Sequence, residues 1–227
     1  MCRVPTSWSC LDEPSKPPLT EGTFKIAFSV QDTVTQQPKG GVSARVCRRR
    51  DVACADAVTG VQSSDASGYL SFTVPAGFDG YVRFEGESIS PSLYFFDPPV
   101  RSDLPNLTVS VSSPEAAAGL ALLIGATPDE GLGNAIATVY DCFGEPAEGV
   151  TLSVGSVGAA ARSFYIRNGL PSAAASTTDE TGYGGVVNAA MGSVTFSASI
   201  DELMIGSVTV LVQPGALTVA QIVPNGT

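Results

Sequence analysis

The chain predicts an all-β protein: two tandem antiparallel β-sandwiches joined by a short helix. Three observations carry that reading. Short runs alternate apolar and polar residues, as in Leu70-Ser71-Phe72-Thr73-Val74. The 227 residues include 24 glycines and 16 prolines, which suits many turns between short strands and does not suit a helical bundle. A turn-and-strand unit, Asp65-Ala66-Ser67-Gly68-Tyr69, returns as Asp179-Glu180-Thr181-Gly182-Tyr183.

In each copy of the unit an Asp side chain caps the turn and a Gly three residues later takes a backbone conformation that other residues resist. Asp65, Gly68, Asp179 and Gly182 are therefore structural turn residues. The correspondence extends upstream. Val30-Gln31-Asp32 precedes Pro38, Gly41 and Val42, as Val139-Tyr140-Asp141 precedes Pro146, Gly149 and Val150. In both copies a strand ends at Asp, a Pro/Gly loop follows, and Val opens the next strand.

This order resembles the carboxypeptidase regulatory-like family of transthyretin-like sandwiches, with its Pro-x-x-Gly-Val loop, Thr-Asp-x-x-Gly turn and strand ending at Pro-x-Gly. It also resembles surface proteins of myxobacterial type. The resemblance covers roughly residues 23–112 and 134–223 and implies an Ig-like or transthyretin-like fold more than an activity. The second copy departs from the pattern at Ala189-Ala190-Met191-Gly192 and carries an insertion from about Ser156 to Ala175.

Residues 1–22 read as an extended N-terminal tether, stiffened by Pro14-Ser15-Lys16-Pro17-Pro18. Its lone Trp8 either docks on a partner or folds back onto its own domain. Residues 23–112 form the first sandwich. It opens with Phe24, Ile26, Phe28 and Val30 on one face and Lys25 on the other. Some sandwiches of pilin and adhesin type carry a Lys-to-Asn or Lys-to-Asp side-chain bond, which needs a Lys pointing inward; Lys25 is out of phase with the apolar face. Further on, Val82 and Phe84 point inward and Tyr81, Arg83 and Glu85 outward.

A helical linker spans 113–133: Ser113 caps, Pro114 takes the first helical position, and Gly125 and Pro128 end the helix. Residues 134–227 form the second sandwich, in which Val150, Leu152 and Val154 alternate with Thr151 and Ser153, and Val208, Val210 and Val212 with Thr209 and Leu211. With only the short helix between them, the two sandwiches are expected to unfold largely separately.

Five cysteines in a β-rich chain of low charge point to an oxidising compartment. Cys47 and Cys54 form the favoured disulfide, closing residues 48–53 as a loop whose Arg48-Arg49-Arg50 run reads as a solvated tip. Cys2 can pair with Cys10, leaving Cys142 as a buried thiol; spacing does not decide among these three. The location is then secreted or the outer cell envelope, with an N-terminal Cys as the place for a lipid tether. No apolar run approaches the length of a transmembrane segment.

Net charge is −10, which opposes binding to nucleic acid or to an anionic surface. The chain contains no histidine, which removes Ser-His and Cys-His nucleophile pairs, histidine metal ligands and the commonest general base. A glycosidase needs two carboxylates facing each other, yet Asp32, Asp65, Asp141 and Asp179 all sit at turns. No Asp-x-Asp-x-Asp loop suggests calcium. Asn106-Leu107-Thr108 and Asn225-Gly226-Thr227 match the N-glycosylation triplet.

The reading is a non-enzymatic structural or assembly module with no cofactor and no metal. Its partners would be a cell-envelope protein or polysaccharide, or further copies of the chain. The alternative is an adhesin-like module that binds glycan or protein through exposed aromatics, with Tyr69, Tyr81, Tyr94 and Tyr165 as candidates.

Overall fold

The computed structural model describes residues 6–12, 21–155 and 157–224. The proline spacer at 14–18, Cys2, Ser156 and the triplet at 225–227 lie outside them. A 3₁₀ segment, Thr6–Asp12, comes first. The first half comprises β1 (Thr23–Asp32), β2 (Ser43–Arg48), β3 (Gln62–Ser63), β4 (Tyr69–Pro75), β5 (Gly80–Gly86), β6 (Ile89–Phe95) and β7 (Leu104–Val111). Helix α1 (Pro114–Leu123) follows, with Ser113 Oγ accepting from the Ala116 N–H at 3.2 Å. The second half comprises β8 (Gly133–Val139), β9 (Thr151–Gly155), β10 (Arg162–Arg167), β11 (Leu170–Ser172), β12 (Tyr183–Ala189), β13 (Gly192–Ile200), β14 (Leu203–Val212) and β15 (Leu217–Ile222).

The two halves repeat one topology. Sheet β4-β1-β7 of the first corresponds to strands β12-β8-β15 of the second, and β2-β5-β6 corresponds to β9-β13-β14. The repeated turns explain why. Gly68 C=O accepts from Val30 N–H at 2.8 Å, as Gly182 C=O accepts from Val139 N–H at 2.9 Å. The residue before each turn Asp does the same work in both copies: Ser64 Oγ accepts from Val42 N–H at 3.0 Å and Thr178 Oγ1 from Val150 N–H at 3.0 Å. Both hydroxyls are buried, and both donate onward to a backbone carbonyl, of Lys39 and Ala147.

The sandwiches are not purely antiparallel. β7 runs parallel to β1 and β15 parallel to β8, because each closing strand arrives from the opposite sheet and lies beside the opening strand in the same direction. β15 also pairs in parallel with β6 of the first half, with Leu217 opposite Ser92, Thr218 opposite Leu93 and Val219 opposite Tyr94. The pairing fuses the halves into one nine-stranded sheet, β11-β10-β12-β8-β15-β6-β5-β2-β3.

The two outer sheets cover this central sheet on opposite faces. Val46, Val82, Phe84 and Tyr94 face the first core with Phe28 and Phe72, while Cys47, Tyr81, Leu93 and Phe95, on the other face, join the core of the second half. Strands β2, β5 and β6 are thus buried on both sides, the situation in which strands lose strict polar alternation.

The N-terminal segment is part of this packing. Trp8 is 3% exposed in the second core, and Cys10 is bonded to Cys142 with Cα atoms 5.7 Å apart. Residues 6–12 are therefore anchored to the second half rather than extended as a tether, and the Cys2–Cys10 pairing gives way to Cys10–Cys142. Cys47 and Cys54 are bonded with Cα atoms 5.1 Å apart. By the chain-entropy argument the 132-residue separation of Cys10 and Cys142 restricts the unfolded chain by about 5 kcal/mol and the short loop by about 2 kcal/mol.

Two expected outcomes follow from this connectivity. A Cβ on Gly68 would lie 2.3 Å from Val30 O, and one on Gly182 2.6 Å from Val139 O, at φ of +78° and +68°. Gly68→Val and Gly182→Val each lose at least about 1–3 kcal/mol from backbone strain. Because the sheet crosses the junction, calorimetry is expected to show one cooperative transition that both substitutions lower; two separately shifted transitions would mean that the β15–β6 pair does not couple the halves. Peptide mapping without reduction is expected to recover Cys10 linked to Cys142 and Cys47 linked to Cys54.

Candidate functional site

The four candidate tyrosines do not form an exposed row. Tyr81, Tyr94 and Tyr165 are 0%, 4% and 6% exposed, and Tyr69 alone of the four reaches solvent, at 39%. The alternation in β5 does turn Tyr81 away from the first core, but that face is covered by the second half. Tyr81 stacks on Phe95 with centroids 4.9 Å apart and donates its hydroxyl to Asp51 C=O at 2.6 Å. Tyr165 Oη accepts from Leu152 N–H at 2.8 Å and donates to Leu152 C=O at 3.2 Å. Tyr94 packs edge-on against Phe28, and its oxygen accepts from Gln221 Nε2 at 2.8 Å, across the junction. These are structural tyrosines, their hydroxyls satisfied by partners that no local pattern reveals.

The turn carboxylates are likewise occupied. Asp65 Oδ1 accepts from Ser67 Oγ at 2.6 Å, Ser67 N–H at 2.8 Å and Tyr69 N–H at 3.0 Å. The Ser67 hydroxyl, followed by the Tyr69 N–H, holds this carboxyl below its ordinary range. Asp179 repeats the arrangement with Thr181 and adds Asn168 N–H at 3.2 Å; burial opposes its ionisation, but these donors prevail and lower it too. Among the described residues no three metal-ligating side chains cluster, and no helix is long and apolar enough to cross a membrane.

Charged side chains instead lock the junction. Arg49, read from sequence as a solvated tip residue, is only partly exposed. Its guanidinium donates to Phe96 C=O and Thr209 C=O, both at 2.6 Å, pairs with the Asp79 carboxylate and lies 5.6 Å from the Phe95 ring centroid. Arg45 and Arg83 both hold Glu85, and Arg83 Nη1 donates to Gln213 Oε1 at 2.7 Å. Gln213 Nε2 in turn donates to Val52 C=O at 2.6 Å. Nothing in the run Arg48-Arg49-Arg50 marks the middle residue, because its partners are 30 to 160 positions away.

Arg49 also guards a sheet edge. Gly80-x-Val82-x-Phe84 and Gly192-x-Val194-x-Phe196 place β5 and β13 in equivalent registers, with Phe84 opposite Ser92 and Phe196 opposite Val208. Thr209 of β14 is then the counterpart of Leu93, the centre of the β6 edge that receives β15. The Thr209 carbonyl, which a further strand would need, is taken by Arg49.

Between the first half's outer sheet and α1 lies a groove of about 480 Å³, present because the two outer sheets are offset to opposite faces. Gln31, Ser110 and Tyr183 stand on its polar rim, and Ile136, Leu217 and Val219 contribute its apolar part. Gln31 Nε2 donates to Gln36 Oε1 at 2.9 Å and to Ser110 Oγ at 3.1 Å. Among the described residues no charged side chain lines it. The sequence reading missed the groove because its walls come from both halves.

No protein-family model matches the chain, and no curated protein matches it. Among solved structures it is similar to the shaft pilin SpaA from Lactobacillus rhamnosus GG, at 10% identity over 92% of this chain and 99% of that one, with a TM-score of 0.28. It is also similar to a streptococcal ancillary pilin (15% identity, 88% and 62% covered, TM-score 0.30) and to the minor pilin of Streptococcus agalactiae (13%, 88% and 97%, 0.27). At these values the superpositions carry no argument about what this chain does.

Two substitutions test the junction. Arg49→Met keeps the aliphatic stem and removes the donors to Phe96 and Thr209; urea unfolding is expected to show a loss of about 2 kcal/mol, with Arg49→Lys retaining part of it. Burial pushes the Tyr81 hydroxyl up to about 12, against about 10 for an unfolded tyrosine. The folded state holds this proton more tightly, so its contribution is whole below about pH 10 and is lost as pH rises toward about 12. Tyr81→Phe is expected to be less stable at neutral pH by about 1 kcal/mol and to lose less stability than the parent across that alkaline window.

Proposed function

We propose that the chain is a non-catalytic structural module of a secreted or cell-envelope protein, in which two sandwiches act as one stiff unit. The observation that carries this is the junction itself: a shared sheet, a long-range disulfide and an arginine clamp all oppose movement of one half against the other. The aspartates of the repeated turns are engaged by their own turns, and the chain lacks histidine, both of which weigh against a hydrolytic role. Two disulfides fit an oxidising compartment. The repeated Pro-x-x-Gly-Val-like loops and Asp-x-x-Gly turns support reading each half as a carboxypeptidase regulatory-like, transthyretin-like domain.

An adhesin-like reading rests on a narrower observation. Tyr69 and Tyr183, each following the turn glycine of its repeat, are both 39% exposed, but they belong to strands of different sheets, β4 and β12. A broad hydrolase panel on the purified chain is expected to show no turnover. Robust hydrolysis abolished by a single Asp or Glu substitution would overturn the structural reading, and selective retention on a glycan array that Tyr69→Ala removes would favour the adhesin-like one.

A further inference from the structure

We infer that the groove between β7 and α1 binds an extended, uncharged peptide segment, which adds as a strand to the outer edge of β7. The inference goes beyond the structural role proposed above and does not depend on it. It begins from the duplication. β7 and β15 are the same strand of the repeated topology, each parallel to the opening strand of its half. The outer edge of β15 receives β6 as a parallel strand, whereas β7, among the described residues, pairs along its length with β1 alone, the Ser90 N–H meeting the outer side just past its end at Ser112 C=O. One copy of this edge is filled by the chain itself, and the other lines the groove.

The backbone phase is favourable. Val111 C=O accepts from Thr33 N–H on the β1 side at 3.0 Å, so alternation along the strand directs the N–H and C=O groups of Thr108 and Ser110 to the outer edge. Thr108 and Ser110 line the groove. A peptide laid there satisfies its own backbone on β7 and turns alternate side chains toward Ile136, Leu217 and Val219, the combination by which sheet edges recognise peptides.

Charge selects the occupant. Among the described residues no charged side chain lines the groove, in a chain of net charge −10, so a charged segment would lose its hydration without gaining a partner. A volume of about 480 Å³ accommodates a few residues rather than a domain, and the space beside β7 is bounded by α1 and the second half, which disfavours a second whole copy.

The probe is the strand that the β15 edge accepts, made as an acetylated and amidated peptide of residues 88–95 and added to the full chain. Because Phe96 N–H donates to Gly80 on the β5 side, the odd residues of β6 face β15, so a control peptide carries N-methyl groups at Leu93 and Phe95. Hydrogen exchange read by NMR is expected to show the Thr108 and Ser110 amides slowed about tenfold or more by the probe and unaffected by the control. Thr108→Pro, which removes an edge N–H without touching the β1 ladder, and Ala117→Trp, which fills the groove from α1, are each expected to weaken binding about tenfold or more. Unfolding curves will show that both variants remain folded.

Binding that tolerates N-methylation, or no protection of these two amides at millimolar probe, would overturn the proposal. So would protection by a neutral oligosaccharide panel in place of the peptide, or protection that rises with protein concentration alone together with dimers in sedimentation.

Discussion

The pairing of β15 with β6 is the contact on which the rest of the molecule depends. An edge strand carries a row of backbone groups that must find partners or water, and here the last strand of one sandwich satisfies an open edge of the other. The contact is heterologous, joining two different edges of one repeated unit, a geometry that continues indefinitely unless something stops it. The chain stops it at β14, where the carbonyl corresponding to the β6 docking position is taken by Arg49.

The same constraint explains where polar groups are buried. Fusing the sheets puts β2, β5 and β6 between two cores, so residues on their outward phase cannot remain solvated. Tyr81 solves this with a backbone carbonyl, Arg83 with Glu85 and Gln213, and Arg49 with two carbonyls and a carboxylate. Removing one partner from such a set leaves a desolvated polar group, which costs more than the bond itself contributes. The junction is accordingly specific as well as tight: few other alignments of the two halves would satisfy all these groups together.

Offsetting the outer sheets to opposite faces has a second result. Each half of the central sheet needs its own cover on both sides. The first half receives the outer sheet on one face and the second half's core, with Trp8, on the other. The second half receives its outer sheet on one face, but on the other, among the described residues, only α1, whose Ala121 packs with Phe164 and Val187. A ten-residue helix cannot cover the width of five strands, and the uncovered remainder is the groove beside β7.

What the sequence determined by itself is local in origin. The alternation of Leu70, Phe72 and Val74, the Asp-x-x-Gly turns, the cap at Ser113 and the stop at Gly125 each depend on residues within a few positions, so strands, turns, helix and duplication were legible from composition and spacing. Tertiary structure alone decided what faced the outward side of each strand. Tyr81, Tyr94 and Tyr165 alternate or neighbour like surface residues and are buried. Arg49 reads as a solvated charge and is a clamp, and Cys10 finds Cys142 132 residues away rather than a neighbour in its own tail. The physical reason is common to all of them. Side-chain periodicity says which residues share a face of a strand, but whether that face meets water or a second core depends on long-range pairing, and the pairing of β15 with β6 leaves no mark in either strand's own pattern.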